Sequence, residues 1–258
     1  SADRTENSGY ESSKTGFALG TEFEQYENIF LSPSISAAHE RIEVQSSASS
    51  AMKKMDGTFT NMDFAYGITV DKRNQVFQPT AGYKTKFLQS IPILQDSSAL
   101  LNGIDVSAYH SFSEDVIGSV KFHLRTIHGI DEDVRVTKRL YLPSKRLRGF
   151  KTSRVGPKDG ADWIGGNYVS AIGFEAQLPN LLPEASKTDV SAFFDAGNVW
   201  GVDYSSSLDD TNTIRSSVGI AANVYTVVGP LSFTLAQDIT KNNSDETESF
   251  NFRIGTSF

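Results

Sequence analysis

The sequence predicts an all-β, antiparallel transmembrane barrel, and three observations predict it. Short runs that alternate apolar and polar residues recur at hairpin spacing along most of the chain. Tight turns such as 113–115 and 226–230 alternate with longer polar loops such as 201–212 and 238–249, as they do where one rim of a barrel carries turns and the other loops. One segment, 138–166, is long, basic and without a period of its own, and a connection of that length inside a β protein tends to be functional.

The totals bound the alternatives. A length of 258 residues suits one large β domain or two ordinary ones. The net charge of −7 and isoelectric point near 5.1 argue against nucleic acid as a partner, because phosphate binding needs a net basic face. Without cysteine there is no disulfide framework, thiolate metal site or thiol nucleophile. No stretch approaches the roughly 18 consecutive apolar residues of a membrane helix, yet a barrel hides its lipid face in every second residue. The chain opens on Ser1-Ala2-Asp3 with neither initiator Met nor signal peptide, so a mature product or a fragment is expected.

Residues 1–13, polar and rich in Ser, Glu and Gly, read as a loop or frayed end. Phe17, Leu19, Thr21 and Phe23 then share one face of a first strand. Residues 29–44 read as a poorer strand, with Pro33 and a Ser-rich face pointing to one that is bulged or slow to start. The clearest early strand is 59–70, where Met62, Phe64, Tyr66, Ile68 and Val70 oppose Asn61, Asp63, Ala65, Gly67 and Thr69. That polar side suits a wet lumen better than a sandwich core. Residues 71–82 turn through Pro79 into a strand at 83–88, and strands at 100–112 and 116–128 follow. Lys121, His123 and Arg125 share the face opposite Phe122 and Leu124, so the lumen wall is expected to be positive there. After the long loop, strands at 167–178, 190–200, 214–225, 231–236 and 250–258 bring the count to about eleven.

His123 and His128 would point to opposite faces of one strand, which does not make a metal pair. No Gly-x-Ser-x-Gly elbow, phosphate-cradling loop or HExxH motif occurs, so no enzyme, cofactor or metal site is expected. Gly165-Gly166 precedes a strand rather than a helix and reads as a tight start to it. The informative constellation is charged. On 167–178 the face of Ile172, Phe174, Ala176 and Leu178 leaves Glu175 inside, and on 190–200 the face of Val190, Ala192, Phe194 and Ala196 leaves Asp195 inside. Arg148 lies in the loop between a leucine and Gly149, and its planar guanidinium can bond carboxylates bidentately. Gly149 would allow a tight tip, with Phe150 packed behind it. Spacing alone favours the plainer reading of Arg148 as a solvated loop residue, since most surface charges contribute little.

Leu147-Arg148-Gly149-Phe150, Gly165-Gly166, Gly173-Phe174-Glu175 and the run from Phe193 through Asp195 to Trp200 together resemble the outer-membrane assembly-factor superfamily. These are the BamA-type insertases, or bacterial surface antigen superfamily, with their two-partner-secretion and organelle relatives. The likeness extends to Asp71-Lys72-Arg73-Asn74, to 77–82, to 229–233 and to the closing 250–258, and so covers most of the chain from about Phe59. Leu147 stands where Val is usual.

The resemblance implies that the loop at about 129–166 folds back into the barrel and that Arg148 pairs there with Glu175 and Asp195. It implies a carboxy-terminal recognition signal in the strand ending at Phe258, with packing in an aromatic girdle the even alternative. It also implies a kink at Gly255 that opens a lateral seam between last and first strands, although a packing gap would equally place a glycine there. The family barrel has sixteen strands, so the chain is expected to be the C-terminal part of a larger barrel, with the first strands and the POTRA domains lying outside it.

The function so implied is an outer-membrane insertase that assembles β-barrel proteins without covalent chemistry. Its partners would be unfolded β-barrel clients, outer-membrane lipid and accessory lipoproteins reached through the POTRA domains. A translocation pore exporting one dedicated passenger is the alternative reading, and a passive porin a third, in which Arg148 and the lumen carboxylates set ion selectivity.

Overall fold

A period of two places alternate side chains on opposite faces of a sheet, and in this chain the two faces differ in chemistry. The computed structural model describes residues 2–6, 9–96, 98–208, 213–226 and 229–254. Strands β1 (Ala2–Glu6), β2 (Tyr10–Gly20), β3 (Phe23–Tyr26) and β4 (Ile29–Val44) are followed by one helical turn, α1 (Ser50–Lys53). β5 (Gly57–Asp71), β6 (Gly82–Gln95), β7 (Ala99–Ser111) and β8 (Ile117–Gly129) form successive hairpins. The long loop carries a small hairpin, β9 (Lys158–Asp159) with β10 (Asp162–Trp163). β11 (Tyr168–Leu178), β12 (Thr188–Trp200), β13 (Arg215–Thr226), β14 (Gly229–Thr240) and β15 (Phe250–Ile254) complete the chain.

One 13-stranded antiparallel sheet follows chain order from β1 to β15, with β8 paired to β11 across the long loop and β3 added on β4. No pairing joins β1 to β15 among the described residues. On β12, Phe194 is 38% exposed while its neighbours Phe193 and Asp195 are buried. Phe174, Ile220, Leu235, Phe250, Phe252 and Ile254 likewise point outward. The outer face is thus apolar and the inner face polar, which is the arrangement that a bilayer around a wet lumen requires. His128, Tyr168 and Trp200 lie on three adjacent strands at the long-loop rim, where an interfacial aromatic belt belongs, His128 meeting Tyr168 edge-on at 5.4 Å and Tyr168 stacking on Trp200 at 5.6 Å. No helix among the described residues is long and apolar enough to cross a membrane.

Each of the eleven expected strands has a counterpart, as β2, β4 to β8 and β11 to β15, but the first ends at Gly20, so that Thr21 lies outside it and Phe23 begins β3, and 255–258 of the last lie outside the described residues. Residues 1–13 differ from expectation: β1 pairs in register with β2, Ala2 opposite Thr15. Their polar composition reads as loop, but the ladder of the neighbouring strand supplies the order that composition does not. Pro33 makes no bulge. It lies in register opposite Tyr66, and its carbonyl accepts from the Thr21 N–H, so its missing donor would point to that same side. That side falls between the last β2 partner, at Ser34, and the first β3 partner, at Leu31, where no ladder bond is lost. β6 also runs on to Gln95, with a register shift between Met62 and Asp63 beside Pro92.

The positive wall is corrected too. Lys121, His123 and Arg125 face inward, but Lys121 pairs with Glu175 at 3.1 Å, His123 contacts Asp105 at 2.7 Å, and Arg125 pairs with Asp105. Asp105 stands opposite His123 in the β7–β8 register, so this wall presents ion pairs rather than a field of one sign.

Candidate functional site

The long loop begins and ends at a neck. Leu140 and Gly166 exchange two backbone hydrogen bonds of 2.8 and 2.9 Å, and Gly165, in the left-handed region at φ 67°, turns the chain toward β11. Beyond the neck the loop lies on the inner face of the sheet. Leu142, Leu147, Phe150 and Val155 pack against the inward side chains Val169 and Ala171 of β11 and Val199 of β12. This is a small apolar core inside a polar lumen. Full burial of side chains this size is worth about 1.5–3 kcal/mol each, enough to hold a loop without regular structure.

That core positions Arg148 over the strand wall. Its Nε donates to Asp195 Oδ2 and its Nη2 to Asp195 Oδ1, both at 2.8 Å, and its backbone N–H donates to Oδ2 at 3.0 Å. The guanidinium carbon also lies 3.5 Å from the centre of the Phe193 ring, so the cation is held between a carboxylate and an aromatic face. Gly173 stands opposite Asp195 in the β11–β12 register. A Cβ on Gly173 would come within 2.8 Å of Asp195 Oδ1, so the glycine makes room for the carboxylate.

Glu175 plays a different part from Asp195. Its Oε2 is 3.5 Å from Arg148 Nη1 but 3.1 Å from Lys121 Nζ, and its Oε1 accepts from Ser191 Oγ at 2.7 Å. Asp195 is thus the main partner of Arg148, and Glu175 joins the loop to Lys121 on β8.

The tip is fastened on its other side. Gly149 has φ 89°, and a Cβ there would lie 3.0 Å from the Ala236 Cβ. The Arg148 carbonyl accepts from Ser217 Oγ at 2.5 Å, and the Gly149 carbonyl accepts from the Glu248 N–H at 2.9 Å. Lys151 N–H donates to the Glu246 carbonyl at 3.0 Å, and Phe150 bridges to Thr247. Arg148, Gly149 and Phe150 therefore come together with Asp195 and Glu175, joined by the loop that precedes β15. Gly255 and Phe258 lie outside the described residues.

Several anchors were not foreseen. Arg135 Nη2 donates to Asn61 Oδ1 at 2.7 Å, and Arg146 Nη2 to Asp105 Oδ1 at 2.7 Å. Arg139 pairs with Asp203, which also accepts from the Val134 N–H at 2.7 Å and the Asn167 amide at 3.1 Å. Arg215 on β13 and Asp245 are a fully buried pair, Nε–Oδ2 2.8 Å and Nη2–Oδ1 2.9 Å. Hairpin register would have set Asp105 opposite His123, but nothing in the local sequence joins Arg215 to Asp245. Burial pushes the Asp203 carboxyl up, and the donors from Val134, Asn167 and Arg139 outweigh it, leaving its pKa below the ordinary value. Burial, with Arg135 nearby, draws the Lys138 ammonium down to about 8. Among the described residues no group of three or more potential ligands is placed to hold a metal ion.

The outer membrane protein assembly factor BamA of Neorickettsia risticii is 26% identical over 222 residues, covering 84% of this chain and 30% of that protein. The chain thus spans less than a third of that relative. A crystal structure of BamA from Haemophilus ducreyi lacking POTRA domains 1–3 matches with a TM-score of 0.87 at 21% identity, over 97% of this chain and 56% of the other. CdiB from Acinetobacter baumannii matches with a TM-score of 0.60 at 13% identity, over 95% and 42%. At these identities the two structures speak for the fold alone. The family model described as the Omp85 superfamily domain matches residues 1–258, and the chain belongs to the Omp85 superfamily, whose members are integral outer-membrane β-barrel proteins.

Proposed function

We propose that the chain is the C-terminal part of the barrel of an outer-membrane insertase, which assembles β-barrel proteins by offering strand edges and a prepared wall rather than by covalent chemistry. The observation that carries this reading is the fastening of Arg148 to Asp195 through three donors, two from the guanidinium and one from the backbone. It braces the loop against β12 and, through Ser217 and 246–248, against β13 and the approach to β15. A strand edge with unpaired N–H and C=O groups is a template for another strand. A weak seam at β15, with Gly255 at its bend and Phe258 as the recognition end, would let client strands pair there while the braced loop keeps the rest of the wall in shape. Clients, surrounding lipid and accessory lipoproteins are the partners in this reading, and no cofactor enters it.

The test is reconstitution. The full-length protein in lipid vesicles should speed the folding of an added, urea-unfolded β-barrel protein without nucleotide, read as the appearance of the fast-migrating folded form on an unheated gel. No acceleration over empty vesicles would overturn the reading. A second reading, a dedicated translocation pore, is consistent with the fold shared with CdiB, although the match to the BamA fold is the better of the two. That reading predicts a passenger protected inside the vesicles and no folded barrel in their wall.

A further inference from the structure

Residues 72–81 join β5 to β6 at the rim that carries the short turns, and they have no part in the loop site. The turn is held together by its own side chains. Arg73 forks onto Asp71, Nε–Oδ1 2.8 Å and Nη2–Oδ2 2.7 Å, and its Nη1 donates to the Val76 carbonyl at 3.2 Å. Asn74 Oδ1 accepts from the N–H groups of Thr80 and Ala81, both at 3.1 Å, while Gln75 Nε2 donates to the Gln78 carbonyl at 2.6 Å. So built, the turn presents Phe77 and Gln78, the latter in the left-handed region at φ 47°.

These two residues reach strands that are not their neighbours. Gln78 Nε2 donates to Asp189 Oδ2 at 2.5 Å and lies 3.3 Å from the Tyr225 hydroxyl. That hydroxyl donates to the same Asp189 oxygen at 2.8 Å, and the Phe77 ring meets the Tyr225 ring edge-on at 5.6 Å. β6 and β12 are separated in the sheet by β7, β8 and β11, so this contact is a chord across the curved wall. Asp189 and Asp195 point to the same inner side of β12, roughly 20 Å apart at about 3.3 Å per residue. One strand is therefore fastened at mid-length to the inserted loop and near its start to the turn.

We propose that turn 72–81 is a strut across the short-turn mouth of the barrel, with Asp189 as the positioning residue that receives it. The strut holds β5 and β6 at a set distance from β12 and β13 and narrows the opening into the lumen. Both donors enter a single oxygen of Asp189, so an amide can replace the carboxylate and a methyl group cannot. The proposal rests on the barrel architecture and not on client assembly, and its readouts are independent of the reconstitution assay.

The test uses the full-length protein with any cysteines outside these residues replaced, since the 258 residues contain none. Phe77→Cys with Tyr225→Cys, which leaves the Gln78–Asp189 hydrogen bond in place, should in native membranes be joined by a short bis-methanethiosulfonate reagent, giving a gel shift that reductant reverses. In planar bilayers, Asp189→Ala and Gln78→Ala should raise mean conductance severalfold, whereas Asp189→Asn should match the parent. Absence of the cross-link in folded protein would overturn the strut. So would an Asp189→Ala conductance equal to the parent's, or an Asp189→Asn conductance as high as that of Asp189→Ala.

Discussion

Arg148 meets Asp195 with its backbone N–H as well as its guanidinium, so one carboxylate fixes both the course of the loop tip and the direction of its side chain. Asp195 is 2% exposed. A buried pair of this kind is weak evidence for stability, since an apolar replacement of both partners is often neutral or better. Its use is to specify one position of the loop among many.

Removing the acceptor should therefore cost more than neutralising it. Asp195→Ala leaves the guanidinium in the lumen without its main partner and is expected to lose about 3–5 kcal/mol. Asp195→Asn keeps one acceptor oxygen, and the loss should approach about 1.5–3 kcal/mol, the worth of a hydrogen bond to a charged group. The temperature at which the full-length barrel loses its folded gel mobility should fall in the order parent, Asn, Ala.

Two glycines make a second test, because their reasons differ. Gly149→Ala meets both a left-handed backbone and the Ala236 methyl at 3.0 Å, whereas Gly160→Ala, at φ 63°, meets open space. The backbone cost of about 1–2 kcal/mol is common to both, so Gly149→Ala should destabilise the barrel more in the same mobility assay. Equal losses would mean that the tip is not closely packed.

What the sequence disclosed was what repeats. The face of Met62, Phe64, Tyr66, Ile68 and Val70 is read from period two alone, and parity alone places Glu175 and Asp195 inside. Parity cannot rank them, and it takes the 2.8 Å contacts to show that Asp195 is the partner of Arg148 while Glu175 serves Lys121 and Ser191 as well. Contacts made by loops were illegible for a physical reason. Arg215 and Asp245 lie 30 positions apart on segments whose meeting depends on the path of the chain after β14. β1 was missed because its order comes from β2 and not from its own composition.

The Arg215–Asp245 pair yields a third prediction. Both side chains are 0% exposed, and Arg215 Nη1 also donates to Asn198 Oδ1 at 2.5 Å. Asp245→Ala should release segment 241–249, and with it the contacts of Glu246 and Glu248 with the loop tip. Limited proteolysis should then cut within 241–249 in the variant at protease levels that leave the parent whole.

Acid should loosen the loop at its first anchor. The folded pKa of Asp203 lies below its unfolded value near 3.9. Its stabilising effect is then complete above that value and lost as pH falls through the folded pKa. Hydrogen-exchange protection of the Val134 amide, which Asp203 accepts, should drop below about pH 4. In Asp203→Asn the protection should start lower and stay flat across that range.

The most direct test of the central claim is Arg148→Ala in the full-length protein, with client assembly and barrel unfolding temperature measured on one preparation. The account predicts that both fall together, because the loop loses the contacts that fix its tip while Asp195 is left buried without its guanidinium. Client assembly and unfolding temperature unchanged from the parent would contradict it, and would leave the ion pair as a bystander in the lumen.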